Sequence, residues 1–508
     1  LQEVDMQSLI GFLCDETRSS HRVFGATTIG NIASNIDLHG PILDSGALES
    51  LIVGISELND SDIESQRSMA LAICNLAWQP ASRSAIISNG GLSSIMYLCN
   101  ALNPNDMLCG LSSLRALSTS DDSRRTIFEE GILHVLLLGL KVDCLDCKRE
   151  IASILALLSL NDQNKIDLAQ SDEIKEFMCL LEVDDVHCIS LMCRCIGSIC
   201  EVNEHHTTIL SICPLERLAS LTSDFTNPTV IKEVTRCYAN LSSNFDTHNA
   251  IITSSVIKNL SYNDADVRYL SLLSLSNISA KERMELKGED AVLCALRNII
   301  DYDMVDSCSC SEEDENQKLI GSKCCACMVI GSLISADNSV AKQIVDTGII
   351  PSLLQLLAVE NDQLSLCAVY LVDKLSLDED THQDLHKHCI IPHLMTYYQH
   401  RQRKLPNVLT YIVGIIRNMC ENKSTDVKNL MPDRVVPFLA ETCDFNNLEC
   451  CRQMVSGICH LVLRNEARNE VVKSNKMMNC LLGLSNLSDI DITRFALGSI
   501  ANIGEDSR

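Results

Sequence analysis

Aromatic side chains and proline are scarce in this chain of 508 residues. Phe, Trp and Tyr make up 4% of it, with a single Trp, and there are 10 prolines, although hydrophobic residues make up 46%. β-Sandwiches favour aromatic and β-branched residues, so the composition argues against them. An interior of Leu, Ile, Val, Ala, Cys and Met is instead suited to close helix packing.

Positive charge is also in short supply. Lys and Arg number 41 against 67 Asp and Glu, which gives a formal net charge of −26. This balance argues against nucleic-acid binding, which needs an electropositive face, and against docking on anionic membrane by charge alone. No apolar run approaches the roughly 20 residues of a membrane span, and no signal peptide opens the chain. Because the chain begins with Leu, membrane attachment through a missing N-terminal segment stays open.

The 27 cysteines are an odd number and occur along the whole chain. Most lie in apolar helical patterns, as Cys74, Cys195 and Cys237 do. This usage is typical of reduced thiols that serve as small core residues. We therefore expect a cytoplasmic protein, with the nucleus as an alternative.

One short pattern recurs through the sequence. ATTIGNIA at 26–33 and ALGSIANI at 496–503 both place Asn directly before an aliphatic residue. Other copies keep the hydrophobic frame, some with another residue in place of Asn, and most lie near 42 residues apart. The Asn-equivalent positions, which we call the ladder positions, are 31, 75, 116, 156, 198, 240, 277, 332, 374, 418, 460 and 502. Twelve copies at this spacing indicate a repeat protein.

Each repeat predicts three helices. A short apolar stretch ends in a turn, a second helix follows, and a polar break precedes a long third helix that carries the ladder position. The turn often contains glycine, as at Gly46, Gly91, Gly131 and Gly348. One unit cannot bury its apolar face alone, so neighbouring units are expected to stack around a continuous core.

This arrangement resembles the armadillo repeat over nearly the whole chain. The related HEAT repeat has two helices per unit and usually lacks the Gly turn and the Asn. The resemblance implies an all-α fold, a right-handed superhelical armadillo-repeat solenoid of about twelve units that spans 1–508. Neither terminal unit shows a polar capping helix, so we expect both ends to be truncated.

In armadillo proteins the third helices line a concave groove, and their Asn side chains can bond the backbone of an extended peptide. The alternative is that some of these side chains bond only within the solenoid. By the resemblance, the candidate peptide-binding residues are Asn31, Asn75, Asn240, Asn277, Asn418 and Asn502.

Cations recur near the start of the third helices. They stand eight residues before the ladder position at Arg67, Lys148, Lys232, Arg452 and Arg494, and nine before it at Arg22, Arg268 and Lys323. A cation in the first helical turn opposes the helix macrodipole, so another interaction must favour it. One hypothesis is a basic stripe that holds an acidic extended peptide, and the alternative is pairing with acids of adjacent units, such as Asp62 or Glu64.

Two further residues join the candidate groove. Arg236 lies four residues before Asn240, and Trp78 lies three after Asn75. Burial of Trp78 between units is the preferred interpretation, and an exposed anchor at the groove edge is the alternative. Nuclear-import receptors of the importin-α kind carry Trp four residues before the Asn, whereas none of the twelve corresponding positions here is Trp. Recognition of basic import signals is therefore not expected.

An acidic segment interrupts the repeat rhythm. Asp301–Asn316 contains seven acids and no base, which predicts a solvated loop inserted before the eighth third helix. Ser309 and Ser311 each precede an acid by three residues, so they are candidate phosphorylation sites.

Cysteine and histidine clusters do not add up to a metal site. Cys144 and Cys147 form a CxxC motif, and His382 and His386 could share a helix face, but no set of four ligands has zinc-site spacing. The sequence also lacks a P-loop, a dinucleotide fingerprint and a nucleophile elbow, so no cofactor, metal or catalysis is expected.

These observations favour a non-catalytic protein–protein interaction scaffold or adaptor that binds partners through its groove and surface. Long chains of this type resemble components of cytoskeletal or ciliary assemblies and adaptors on organelle membranes. Two alternatives stay open: a transport receptor that carries a peptide cargo in the groove, and a metal- or redox-responsive protein built on the Cys and His clusters.

Overall fold

The computed structural model describes residues 6–15, 17–58, 62–224, 227–247, 250–260, 262, 264–278, 290–301, 310–400, 405–422 and 426–504. Within these ranges the secondary structure is helical, with no β-strand. This confirms the prediction of an all-α helical-repeat fold. The chain forms two compact units, Leu1–Thr247 and His248–Arg508.

The ladder positions all lie in long helices, for which we keep the name third helices. In the first unit these are Ser19–Ala33, Ile63–Ala77, Pro104–Ser118, Leu145–Leu158, Val186–Ile199 and Pro228–Leu241. In the second unit they are Ala265–Asn277, Cys310–Ala336, Asp362–Leu375, Pro406–Glu421, Leu448–Leu461 and Ile490–Gly504. Within each unit, every third helix packs against the next one along the chain.

Shorter helices connect the third helices. In the first unit they are Met6–Leu13, His39–Asp44, Ala47–Glu57, Pro80–Ser88, Leu92–Cys99, Asp121–Glu129, Ile132–Leu140, Asp162–Gln170, Glu173–Phe177, His206–Ile212 and Leu215–Asp224. In the second unit they are Ala250–Leu260, Asp290–Asp301, Ser339–Asp346, Ile349–Ala358, His382–Lys387, Ile390–His400, Val427–Leu430, Pro432–Thr442, Asn465–Lys473 and Asn475–Leu484. Short 3-10 turns occur at Ile36–Leu38, Met178–Glu182, Asn203–His205, Phe245–Thr247 and Glu379–Thr381.

Glycine makes the turn into several second helices. Gly46, Gly131 and Gly348 have φ of 79°, 78° and 85°, a left-handed conformation that costs other residues about 1–2 kcal/mol. In the unit predicted to turn at Gly91, the left-handed residue is Gly90, whose φ is 80°. The turn there lies one residue earlier than predicted.

Side-chain caps fix where most third helices begin. The N-cap side chain accepts a hydrogen bond from a backbone N–H in the first turn, which satisfies a group that has no partner within the helix. This occurs at Asp62, Asn103, Asp185, Asn227, Asp264, Asn361 and Asn447. The sulfur of Cys144 takes the same role for the backbone N–H of Cys147. The CxxC motif is thus the start of a helix.

The ends of the third helices are capped by a second recurring contact that the sequence analysis missed. A side chain from the next unit bonds the carbonyl six residues earlier, at or beside the last residue of the third helix. Histidine serves at His39, His206 and His382, with Nε2 2.6–2.8 Å from the carbonyl oxygen. Arginine serves at Arg83, Arg124 and Arg468, and Asn164 takes the same role in another repeat. Thr381, next to His382, bonds the adjacent carbonyl of Leu375.

The acidic segment differs from its prediction as a loop. Residues 302–309, including Ser309, lie outside the described residues. Residues 310–316 are not a loop, because they begin the 27-residue helix Cys310–Ala336. Ser311 therefore lies in a helix, and its side chain is outside the description.

The same helix contradicts the expectation that no apolar run of this chain approaches the length of a membrane span. By length and composition alone, Asn316–Ala336 could cross a membrane. More than half of its apolar window is buried within the protein, and the helix packs against Ala265–Asn277 and Asp362–Leu375. This burial is what a core helix of the second unit requires.

Candidate functional site

A cleft of 570 Å³ opens on the exposed faces of three consecutive third helices of the first unit. These helices are Pro104–Ser118, Leu145–Leu158 and Val186–Ile199. We call it the Leu160 cleft. Its lining residues are Leu108, Ser112, Arg115, Thr119, Asp146, Arg149, Glu150, Ser153, Ala156, Leu157, Leu160, His187, Leu191 and Arg194.

Leucine side chains give this cleft its apolar surface. Leu157, Leu160 and Leu191 come from two adjacent third-helix segments, and Leu160 is 46% exposed. Burial of such a side chain by a ligand would contribute about 1–2 kcal/mol, since its exposed apolar area would leave water. The cleft can therefore accept an apolar side chain.

The arginines of the Leu160 cleft form ion pairs that link consecutive third helices. Arg115 Nε lies 2.6 Å from Glu150 Oε2, and Arg149 Nη2 lies 2.6 Å from Asp185 Oδ2. The Arg149 hydrogen bond is the main reason why the pKa of Asp185 falls to about 2. Arg194 continues the series, with Nη2 2.9 Å from Oε1 of the buried Glu233.

The same kind of pair accounts for several cations of the predicted basic stripe. Arg67 holds Asp106 in a two-point contact, with nitrogen–oxygen distances of 2.5 and 2.7 Å. Arg452 Nη2 lies 2.8 Å from Asp489 Oδ2, and Arg22 binds Asp62. For these three residues the structure shows pairing with acids of adjacent units. An acidic peptide would have to compete with these carboxylates.

The other predicted cations also have partners within the protein. Lys148 Nζ is 3.8 Å from the fully exposed Asp143, and Arg236 Nη1 is 3.3 Å from Glu233 Oε2. Arg494 is 67% exposed and lies 3.2 Å from Asp491. Its guanidinium also lies 4.9 Å from the centre of the Phe495 ring. Lys232, Arg268 and Lys323 also have interaction partners.

Three ladder asparagines bond within the protein. Asn75 Nδ2 donates to Gly30 O at 2.9 Å, and Asn240 Nδ2 donates to Gly197 O at 2.8 Å, so each links its third helix to the preceding one. Asn418 is buried and donates to Ser376 Oγ at 2.8 Å. Peptide binding by these residues stays a prediction.

The remaining ladder asparagines differ in setting. Asn31 is exposed, Asn502 is half-buried, and neither side chain has a hydrogen-bond partner within the part of the chain that the structure covers. Asn277 is the last residue of its helix and has an interaction partner.

The preferred interpretation of Trp78, burial between units, is wrong. Trp78 follows the last residue of the Ile63–Ala77 helix and is 47% exposed. The guanidinium of Arg115 lies 5.9 Å from the centre of its ring. Because Arg115 also lines the Leu160 cleft, the indole lies beside that cleft.

A second cleft, of 460 Å³, lies on the third helices Asp362–Leu375, Pro406–Glu421 and Leu448–Leu461 of the second unit. We call it the Asp373 cleft. Its lining residues are Asp373, Lys374, Leu377, Asn407, Thr410, Tyr411, Gly414, Arg417, Asn418, Asn447, Glu449 and Gln453. Burial raises the pKa of Asp373 to about 6, although Lys374 and Arg417 oppose this shift.

The histidine cluster shows no arrangement for a metal. His382 is buried, and both of its ring nitrogens have partners, Ser376 O and Asn422 Nδ2. Burial lowers the pKa of His386 to about 4. Over the described ranges, no group of three or more His, Cys, Asp or Glu residues could hold a metal ion.

Sequence reasoning missed Arg149 and chose its neighbour Lys148 because it counted eight residues back from the ladder position. At 3.6 residues per turn, the seventh residue back lies about 20° from the ladder position around the helix, whereas the eighth lies about 80° away. The seventh is Arg149, which lines the Leu160 cleft. A search by helical angle could therefore have found it.

Comparison with known proteins shows the fold. No family model matches the sequence, and neither does any curated protein. The crystal structure of an engineered protein is similar at a TM-score of 0.67 and 20% identity, over 82% of this chain and 98% of that chain. A structure from work on a phosphorylation switch that controls the interaction between cadherin and beta-catenin is similar at a TM-score of 0.68 and 14% identity. That match covers 98% of this chain and 99% of the other. Beta-catenin is an armadillo-repeat protein, so the fold is armadillo-like.

Proposed function

We propose that this chain is a non-catalytic scaffold of the armadillo type, and that the Leu160 cleft binds an extended segment of a partner protein. The observation that carries the proposal is the cleft itself, which spans three consecutive third helices and exposes leucine side chains beside fixed ion pairs. A helical-repeat fold and a structural neighbour that takes part in a protein complex support protein binding in general.

The chemistry of the cleft favours a segment with an apolar side chain over a purely acidic one. Arg115, Arg149 and Arg194 already bind carboxylates of the chain, so an acidic ligand gains little unless it displaces them. Leu160 and Trp78, by contrast, have exposed apolar surface. We therefore infer that an apolar anchor residue supplies most of the affinity, with the arginines orienting polar groups around it.

The wider setting is proposed on composition. The cysteines among the described residues are free thiols, which agrees with a reducing compartment such as the cytoplasm. A cytoskeletal assembly or an organelle surface are the settings we propose for such a scaffold.

The experiment compares the partners captured by the wild-type chain with those captured by Leu160→Glu and Leu102→Glu, using proximity labelling in cells. Leu102 lies in a loop outside the cleft and is 99% exposed, so its replacement is a matched control for an added carboxylate. We expect Leu160→Glu to lose a set of partners, by about tenfold in recovery, that Leu102→Glu keeps. If both variants capture the wild-type set, the cleft is not the binding surface.

A further inference from the structure

Asp373 is an unusual acid for its position. It is half-buried at the end of the third helix Asp362–Leu375, and it lines the Asp373 cleft. Its carboxylate makes no hydrogen bond or ion pair with any residue that the structure describes. A carboxylate that is withdrawn from water and has no partner costs free energy unless something else binds it.

The other charged groups of this cleft are engaged. Glu449 accepts hydrogen bonds from Arg452 at 2.8 Å and from Gln453 at 2.7 Å. Arg417 Nη2 donates to Asn418 Oδ1 at 2.6 Å. Lys374 Nζ lies over the Tyr370 ring, 5.5 Å from its centre. Lys374 and Arg417 are near enough to favour the charged form of Asp373, but neither forms an ion pair with it, so among the described residues of the cleft its carboxylate is the acid left for a ligand.

Gly414 leaves the space that the Asp373 carboxylate occupies. A Cβ atom at Gly414 would lie 2.7 Å from Asp373 Oδ1, closer than nonbonded atoms approach. The absence of a side chain on the Pro406–Glu421 helix thus admits the carboxylate to the face on which the cleft opens. Tyr411 lies one turn earlier on that helix and also lines the cleft, which places an aromatic ring beside the charge.

We propose that Asp373 binds a cationic side chain, the ammonium of a lysine or the guanidinium of an arginine, from an extended partner segment that crosses the third helices of the second unit. A single carboxylate cannot hold a metal ion, which needs several ligands, but it can form a charge-assisted hydrogen bond with one ammonium or guanidinium. The aromatic ring of Tyr411 adds a favourable surface for the same cation. The inference rests on the proposed function only in that both need an extended segment on the third helices.

The closing experiment uses peptide pools on the full chain. Each pool is a set of twelve-residue peptides with randomised flanks and one fixed central residue: Lys, Arg, norleucine or Glu. We expect the wild-type chain to retain the Lys and Arg pools about tenfold more strongly than the norleucine pool, as is typical of a hydrogen bond to a charged group. Asp373→Asn should remove this preference.

Two controls separate the causes. Glu449→Gln removes an acid of the same cleft that already has partners, and it should keep the preference. Gly414→Ala places a methyl group against the carboxylate, and it should weaken the preference without changing any charge. Equal retention of the four pools by the wild-type chain, or the same preference in Asp373→Asn, would overturn the proposal.

The outcome is distinguishable from that of the proposed function. Leu160→Glu changes the first unit alone, so it should leave the preference for the Lys and Arg pools unchanged. Loss of partners in Leu160→Glu with no pool preference would retain the Leu160 cleft and reject the Asp373 site. A preference for the Lys and Arg pools, with the same partners captured by Leu160→Glu as by wild type, would retain the Asp373 site and reject the Leu160 cleft.

Discussion

At the scale of single residues, the ladder asparagines combine two roles that the sequence cannot separate. Asn75 and Asn240 each use one amide hydrogen to link neighbouring third helices, and this leaves the amide oxygen for other contacts. Asn31 occupies the same repeat position and is exposed. The recurring pattern predicted where the amides lie. It could not predict their partners, because a partner depends on the residue that the preceding helix brings within reach.

Because Asn75 is hydrogen-bonded between helices and Asn31 is exposed, removing the two side-chain amides should change the free energy of unfolding by different amounts. Asn75→Ala should lower the free energy of unfolding by about 1 kcal/mol, because a hydrogen bond between third helices is lost. Asn31→Ala should change it by less than about 0.5 kcal/mol, as is usual for exposed side chains. Urea denaturation followed by circular dichroism measures both. Equal effects of the two variants would contradict the assignment of Asn75 as a link between helices.

Replacing Asp373 is expected to raise the stability of the fold, whereas replacing Asn75 is expected to lower it. The pKa of Asp373 is about 6 in the folded protein, above the ordinary value of 3.8, so the folded state binds more protons than the unfolded state between these two pH values. The free energy of unfolding should therefore fall as pH rises from about 4 to about 6, and the penalty is complete above pH 6. Because asparagine does not ionise, Asp373→Asn should be more stable than wild type by about 1–3 kcal/mol at pH 7.5 and about equal at pH 4.

Thermal unfolding of both proteins at pH 4.0 and 7.5 tests this prediction. A higher melting temperature for Asp373→Asn at pH 7.5, together with weaker retention of cationic peptides, would be typical of a residue kept for binding at the expense of stability. A lower melting temperature at pH 7.5 would mean that the carboxylate has a stabilising partner in the folded chain.

At the scale of helices, the ion pairs between consecutive third helices of the first unit all follow one direction along the chain. A cation on one third helix reaches an acid near the start of the next, as Arg67 reaches Asp106 and Arg149 reaches Asp185. The acid lies where the helix macrodipole favours negative charge, which offsets the unfavourable position of the cation on its own helix. The sequence showed both charges, but the angle around the helix decided which neighbouring cation points toward the cleft.

Replacing Asp185 tests how much these ion pairs contribute to the free energy of unfolding. The Asp185 carboxylate binds Arg149 and also caps its own helix by accepting the Cys188 N–H at 2.9 Å. Asp185→Ala should lower the free energy of unfolding by about 2 kcal/mol. Asp143→Ala is the control, because Asp143 is fully exposed and 3.8 Å from Lys148, and we expect it to cost less than about 0.5 kcal/mol.

The same variant should change the response to acid. The pKa of Asp185 is held near 2 by Arg149, below the ordinary value of 3.8. Its contribution to stability is therefore complete above pH 4 and is lost as pH falls toward 2. The difference in denaturation midpoint between wild type and Asp185→Ala should shrink over this interval. A difference that stays constant from pH 5 to pH 2.5 would show that the carboxylate's charge is not the cause.

At the scale of the whole molecule, repetition made the fold predictable. Twelve copies of one hydrophobic frame indicated long helices at the right places, although no single copy would have sufficed. The long helix Cys310–Ala336 was predicted less well, because its first turns are acidic and read as a loop. Neither cleft was predicted, since a cleft depends on which side chains three helices leave exposed together.

Cysteine burial gives a test over the whole chain. Among the described cysteines, the exposed ones are Cys14, Cys179, Cys294 and Cys389. Burial raises the pKa of many others, such as Cys195, to about 12, so their reactive thiolate form is rare near neutral pH.

Burial also raises the pKa of the Cys179 thiol, so titration with an aromatic disulfide reagent at pH 8 should show about three thiols that react quickly, with Cys308 and Cys310 adding up to two. All 27 cysteines of the sequence should react after unfolding in guanidinium chloride. Fewer than 27 under those conditions would indicate disulfide bonds in the protein.

The side-chain contact that caps the C-terminal ends of the third helices shows how the sequence of such a chain can diverge while its architecture is kept. The capping position requires only a hydrogen-bond donor of suitable reach, and His39, Arg83 and Asn164 all provide one. Three different residue types therefore fill one position of the repeat with the same physical result. A sequence comparison that scores identical residues finds no similarity at that position. A comparison of backbone structures is unaffected by which of these residues is present.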